Sequence, residues 1–146
     1  MIDKKFIGYE LKPSSLYLDR TRLQFFAKAI GEQDPVYFDP ASAKAAGYPD
    51  LPAPPTFIFA AELDSGANDQ LLNDLGIPLT KLLHGEQSFR YFKPVYAGDA
   101  VDVQSTITDI YDKKGGKLEF VVKDSRVTNQ KAELVAEMRT VLVVRH

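Results

Sequence analysis

Downstream of His84 apolar and polar residues alternate, a period of two that suits an extended strand and no helix. In DAVDVQSTITDIY, Val101, Val103, Ile107 and Tyr111 fall on one face and Asp102, Gln104, Thr106 and Thr108 on the other, the pattern of a long strand with one side buried. KKGG (Lys113–Gly116) supplies glycines for the positive φ values of a hairpin turn. KLEFVVKDSRV resumes the alternation through Leu118, Phe120 and Val122, and a last strand covers Glu133 to Val144, apolar on both faces near its end. This half of the chain is read as an antiparallel sheet whose buried face needs a cover.

The cover lies upstream. DRTRLQFFAKAIG spaces Leu23, Phe26, Ala27 and Ile30 along one helical face, with Asp19 as N-cap and Gly31 as the stop. DPASAKAAG fits a short second helix capped by Asp39, with Pro40 at its first position and Gly47 at its end. Tyr48 to Pro55 (YPDLPAPP) holds four of the nine prolines, which forbids regular structure there. From Thr56 the run TFIFAAELDSG is apolar on all sides and predicts a helix buried in the core. The order predicts an α+β fold of one domain, residues 1–146, in which an antiparallel sheet curls around a central helix. The apolar TVLVV of the last strand invites pairing with another subunit, hence a dimer.

Composition narrows the chemistry. The net charge is −2 with the signs well mixed, which argues against nucleic acid as a partner. There is no cysteine, so disulfides, thiolate nucleophiles and cysteine metal sites are excluded, and His84 and His146 are too few for a histidine-rich metal site. No apolar run approaches the roughly 18 residues of a membrane span, and none follows the start as in a signal peptide. A cytoplasmic protein without a metal or redox cofactor is expected.

Three motifs, in order, carry a resemblance over nearly the whole chain. FAKAIGEQDPVYFDPASAKAAGY resembles the segment of MaoC-like (R)-specific enoyl-thioester hydratases that reads G-D-x-N-P-[I/V]-H-x-D before an Ala-rich helix and an aromatic. APPTF resembles the entry to the central helix of that fold, and HGEQSFRYFKPVYAGD the following strand and P-x-x-x-G-D turn. The likeness is closest to the FAS1-like dehydratase, or MaoC N-terminal, type, and it implies the hot-dog fold.

In active members of such families an Asp and a His, five positions apart, add or remove water across the α,β double bond. On this chain Gly31 matches the Gly, Glu32 the catalytic Asp, Asp34 the Asn, Pro35 the Pro, Val36 the aliphatic residue, Tyr37 the catalytic His and Asp39 the second Asp. Both members of the dyad are replaced. A phenol starts about 3.5 units above an imidazole and does not take a proton at neutral pH. Glu32 keeps a carboxylate but displaces it by a methylene, and errors of about 1 Å can cost on the order of 100-fold.

The resemblance therefore implies an acyl-thioester-binding subunit of an (R)-3-hydroxyacyl-CoA or -ACP dehydratase, equivalently an enoyl-thioester hydratase, without its own Asp/His pair. Acyl-CoA or acyl-ACP is the expected ligand. The expected assembly is a homodimer, or a heterodimer with an Asp/His-bearing MaoC-like subunit. Two other readings stay open: a non-catalytic acyl-CoA-binding homodimer, and a hot-dog thioesterase in which Glu32 or Glu86 activates water. Glu32 and Tyr37 are then dyad-equivalent positions or ordinary residues of a Pro-containing turn. His84 is a substitute acid/base or the start of a strand, and Glu62 and Asp64 are a shifted acid pair or the point where the central helix leaves the core. The expected substrate contacts are Asp34, Tyr48, Pro55, Thr56 and Phe57, where free N–H groups at the start of a buried helix suit a thioester oxygen. Phe89, Tyr91, Phe92 and Tyr96 line an acyl channel or pack the core, and Gly98-Asp99 is a turn.

Overall fold

A computed structural model describes all 146 residues. In chain order the elements are β1 (Ser14–Tyr17), α1 (Arg20–Ala29), α2 (Pro40–Ala45), α3 (Ala60–Asp64), α4 (Ala67–Asp74), β2 (Leu82–Tyr91), β3 (Ala100–Lys113), β4 (Leu118–Asn129) and β5 (Leu134–Arg145). The strands form one antiparallel sheet in the order β1-β3-β4-β5-β2. It carries the helices on one face, as the alternation downstream of His84 and the helical runs upstream of it predict.

The caps sit where their side chains require. The Asp19 carboxylate accepts from Arg22 N at 3.1 Å, and Asp39 accepts from Ala41 N and Ser42 N at 3.3 and 3.0 Å, so each satisfies orphan donors of its helix. Gly31 and Gly47 end the two helices at φ +78° and +92°. On α1, Leu23 and Ala27 are fully buried, but Ile30 is exposed, because it is already the C-cap and the turn to Gly31 swings it outward.

Four expectations are corrected. First, the apolar β5 is no edge: it lies between β4 and β2, which explains an apolar run on both faces, and the edges are β1 and β2. Second, the central helix is not buried all round. It enters through a 3₁₀ turn (Pro55–Phe59), hides Phe57, Ile58, Ala61 and Glu62, leaves Leu63 exposed, and breaks at Gly66 (φ +71°) before α4. Third, a bulge between Ile107 and Asp109 moves the β3 alternation by one, so Ile110 is buried where Tyr111 was expected. Fourth, the inward face of β4 is Glu119, Val121, Lys123, Ser125 and Val127, while Leu118 and Phe120 look outward; the Phe120 ring stacks on Tyr111 at 4.8 Å.

The fourth correction exposes how the core is built. One apolar cluster holds Leu18, Leu23, Phe57, Ala61, Val101, Val103, Val127 and Val135; a second holds Leu71, Leu75, Ile77, Ile107, Ile110, Val121 and Val144. On β3 and β4, Ser105, Lys123 and Ser125 stand between the two clusters, and Glu62 meets them there. Lys123 Nζ donates to Glu62 Oε2 at 2.5 Å and to Asn68 Oδ1 at 2.7 Å, while Ser105 and Ser125 donate to Glu62 Oε1. Glu62 thus does not mark the exit from the core; it and Lys123 are about 2% and 1% exposed. Asp64, one turn end away, is on the surface and pairs with Arg22.

His84 and Gly85 lie inside β2, at a second bulge, rather than before it. A Cβ on Gly85 would come within 2.6 Å of Val143 Cγ2 and 3.1 Å of the Val141 carbonyl oxygen. Gly85→Ala is therefore expected to lower stability by about 1–3 kcal/mol through overpacking, read as an earlier urea midpoint; an unshifted midpoint would mean that β2 can slide outward at no cost.

Candidate functional site

The connection from α1 to α2 forms one wall of a cleft. Asp34 Oδ1 accepts from Val36 N at 3.1 Å and caps the 3₁₀ turn Pro35–Tyr37, whose last residue puts the Tyr37 side chain into the cleft. Gln24 Nε2 ties this turn to α1 through the Phe38 carbonyl at 2.7 Å. The proline-rich loop forms the second wall. It is irregular, as expected, but pinned: Ala53 N donates to Val95 O, and Ala97 N to Leu51 O, both at 2.8 Å.

The cleft encloses about 400 Å³. Its lining comprises Tyr37, Tyr48, Pro52 to Pro55, Ile58, Tyr91 to Val95, Val135 and Ala136. Three expected site residues, Tyr37, Tyr48 and Pro55, are brought together there, with Tyr91 and Phe92 of the anticipated channel. Tyr96 stands behind, its ring 6.0 Å from that of Tyr48, and Phe89 stacks on Tyr91 at 5.7 Å while packing on the core. The turn at Gly98-Asp99 is present, with Gly98 at φ +92° and Asp99 Oδ2 accepting from Tyr96 N.

The other candidates lie elsewhere. Glu32 Oε1 accepts from the amides of Gln33 and Asp34 at 3.0 and 3.2 Å, so the carboxylate folds back on its own loop. Asp34 serves as a cap. Thr56 is exposed beside the cleft, and the Phe57 N–H is already given to the Pro54 carbonyl at 2.9 Å while its ring is buried against Phe26. His84 faces a separate chamber, with its ring edge-to-face with Phe59 at 5.4 Å. Glu86 opens on the outer face of the sheet.

Ile58, Pro94, Val135 and Ala136 complete the cleft; Pro94 opens the P-x-x-x-G-D turn, and no local motif announced the other three. Lys93, the one charged residue of the lining, is paired at 2.6 Å with Glu133.

The electrostatics follow from this lining. Burial first, then the negative charge of Glu32 and the neighbouring Tyr48 and Asp34, raise the Tyr37 phenol above its ordinary value. Burial raises Tyr91 likewise. Both remain protonated at neutral pH and can donate a hydrogen bond to a carbonyl oxygen. No carboxylate and no imidazole lines the cleft. The cleft offers an apolar surface with the Tyr37 and Tyr91 phenols as donors.

The sequence matches the model of the "FAS1-like, dehydratase domain region" over residues 5–138. A protein of Streptomyces avermitilis called "UPF0336 protein" is 38% identical over 147 residues, covering 99% of this chain and 95% of that one. Among solved structures, the HadBC (3R-hydroxyacyl-ACP dehydratase) complex from Mycobacterium tuberculosis superposes with a TM-score of 0.80 at 27% identity, over 94% of this chain and 96% of that one. The R-hydratase PhaJ1 from Pseudomonas aeruginosa gives 0.72 at 20% identity, over 96% and 82%. The curled sheet with its covering helices is the hot-dog fold, and the chain belongs to the FAS1-like dehydratase domain family, of MaoC-like type.

Proposed function

We propose that this chain is the acyl-thioester-binding subunit of an (R)-3-hydroxyacyl-CoA or -ACP dehydratase, acting with a partner subunit that carries the Asp/His pair. The observation that carries this reading is the cleft itself: at the position of the family's histidine stands Tyr37, held protonated, and the carboxylate of Glu32 is engaged by its own loop. Hydration needs a group that takes a proton as well as one that gives it. The apolar lining and the phenols supply binding and polarisation, and the general base comes from outside the chain. The likeness to the HadBC complex supports a heteromeric arrangement, and β2 offers an open sheet edge for a second subunit. The thioesterase alternative is not favoured, because neither Glu32 nor Glu86 lines the cleft.

The test is crotonyl-CoA hydration by the purified chain, alone and co-expressed with a MaoC-like chain bearing an intact Asp/His pair. Alone, the chain is expected to bind the thioester and turn it over at background. The complex is expected to exceed it by at least the roughly 10²–10⁴-fold of general acid–base catalysis. Turnover by the chain alone near the enzyme median of about 10 per second would overturn the reading. Tight binding with no activation by any such partner would favour the non-catalytic acyl-CoA-binding homodimer.

A further inference from the structure

A second chamber, of about 230 Å³, lies between α3, α4 and the inner face of the sheet at β5 and β2. Phe59, Leu63, Leu72, Leu82 and Leu142 make it largely apolar. Its polar floor is Lys123 with Asn68 and Thr140. It shares no lining residue with the cleft described above.

The floor has one hydrogen-bond donor to spare. A lysine ammonium has three N–H groups, and the two acceptors that Lys123 finds are Glu62 and Asn68. The Lys123 side chain is 1% exposed, so water does not freely satisfy the third. Lys123, Thr140 and Gln87 lie in register across β4, β5 and β2. Thr140 donates its hydroxyl to Gln87 Oε1 at 2.7 Å, and Gln87, whose amide nitrogen is buried without any partner, stands behind the floor and does not line the chamber. Buried polar groups are nearly always paired, and the third Lys123 N–H at the chamber floor calls for an oxygen acceptor.

Charge decides which acceptor. Glu62 already balances Lys123, and Asp69 and His84 stand at the chamber wall. A carboxylate guest would bring a further negative charge onto a buried lysine already matched by Glu62 and beside Asp69, which is costly, whereas a carbonyl or ether oxygen brings none. The volume is below the roughly 300 Å³ at which drug-sized sites begin. We propose that this chamber binds a small neutral molecule with an aliphatic body and a single carbonyl or ether oxygen, anchored on Lys123. The inference stands independently of the dehydratase reading.

The experiment is a titration of the full ¹⁵N-labelled chain with 2-heptanone, heptane and heptanoate, followed by amide shifts. The ketone is expected to move Asn68, Leu72, Thr140 and Leu142 and to leave the cleft at Tyr48 and Val95 unmoved, with heptane and heptanoate each binding about 10-fold more weakly or less. Leu142→Phe, which fills the chamber, is expected to abolish these shifts. The paired variant Glu62→Gln/Lys123→Met keeps the site neutral, removes the anchor, and is expected to weaken the ketone about 3- to 10-fold, the range of one hydrogen bond. Shifts confined to the cleft, heptanoate or heptane binding as well as the ketone, or full ketone affinity in the paired variant would each overturn the proposal.

Discussion

Glu62→Ala is expected to lower stability by about 3–5 kcal/mol, the cost of leaving one partner of a buried ion pair uncompensated. For a chain of this size that is a fall in Tm on the order of 10 °C. The cause is Lys123: with Glu62 gone, an ammonium 1% exposed keeps the Asn68 amide oxygen as its one acceptor, and Ser105 and Ser125 lose the acceptor they share. Removing both charges in Glu62→Gln/Lys123→Met is expected to restore most of the loss, since Ser105 and Ser125 can still donate to the amide oxygen. The pair also writes a pH signature. Burial pushes the Glu62 carboxyl up, but the Lys123 charge and the hydrogen bonds from Lys123, Ser125 and Ser105 outweigh it, and the net is below the ordinary value of 4.5. A lowered acid contributes stability that is whole above its unfolded value and is lost as pH falls through the folded one. Melts of the parent below pH 4.5 are therefore expected to decline with a component that the paired variant lacks. A Glu62→Ala melting point within about 2 °C of the parent, under 1 kcal/mol at this size, would show the pair to be dispensable.

The second large effect is a gain. Glu32→Asp together with Tyr37→His is expected to raise enoyl-CoA hydration by the chain alone at least 10²-fold over either single variant, because acid and base act as a unit and their effects do not add. Position 37 already faces the cleft, so an imidazole there enters it. Shortening Glu32 draws its carboxylate away from the Gln33 and Asp34 amides that now hold it. The supporting contacts were not shaped for this pair, so the rate stays well below that of a native site. Activity is measured in the double variant, both single variants and the parent, with crotonyl-CoA binding as the control for folding. A double variant that folds and binds yet stays inert, with no activation of the parent by an Asp/His subunit, would leave the binding module as the better account.

Local chemistry was legible and distant chemistry was not. Asp19, Asp39, Gly31 and Gly47 bound their helices because caps act within one turn, and the hairpin after Lys113 forms because Gly115 and Gly116 take positive φ without a Cβ penalty, Lys114 sharing it at +55°. On β4 apolar identity does not mark the inward face. Glu119, Lys123 and Ser125 point inward, and Lys123 and Ser125 are tolerable only through Glu62, a partner about sixty residues away that no window reveals. The β3 alternation failed at a bulge for the same reason: the partner strand decides it. Of the site, Tyr37, Tyr48 and Pro55 were found through the motif they sit in. Val135 and Ala136 arrive from β5, and their place in the cleft depends on the strand order.

That order also fixes a sequence of events. β3, β4 and β5 are successive antiparallel neighbours and can zip from short connections, whereas β1 finds its partner only in β3 and β2 only in β5. The loop closed by Leu82 with Val144 is long, though shorter than those closed by β1 with β3, and its entropy is lost before any ladder bond is gained. As the polypeptide leaves the ribosome, β2 emerges early and has no template until the stretch from Leu134 to Arg145 has followed it out. Until then the segment that will wall both cavities remains an unpaired strand, accessible to chaperones and to other nascent chains.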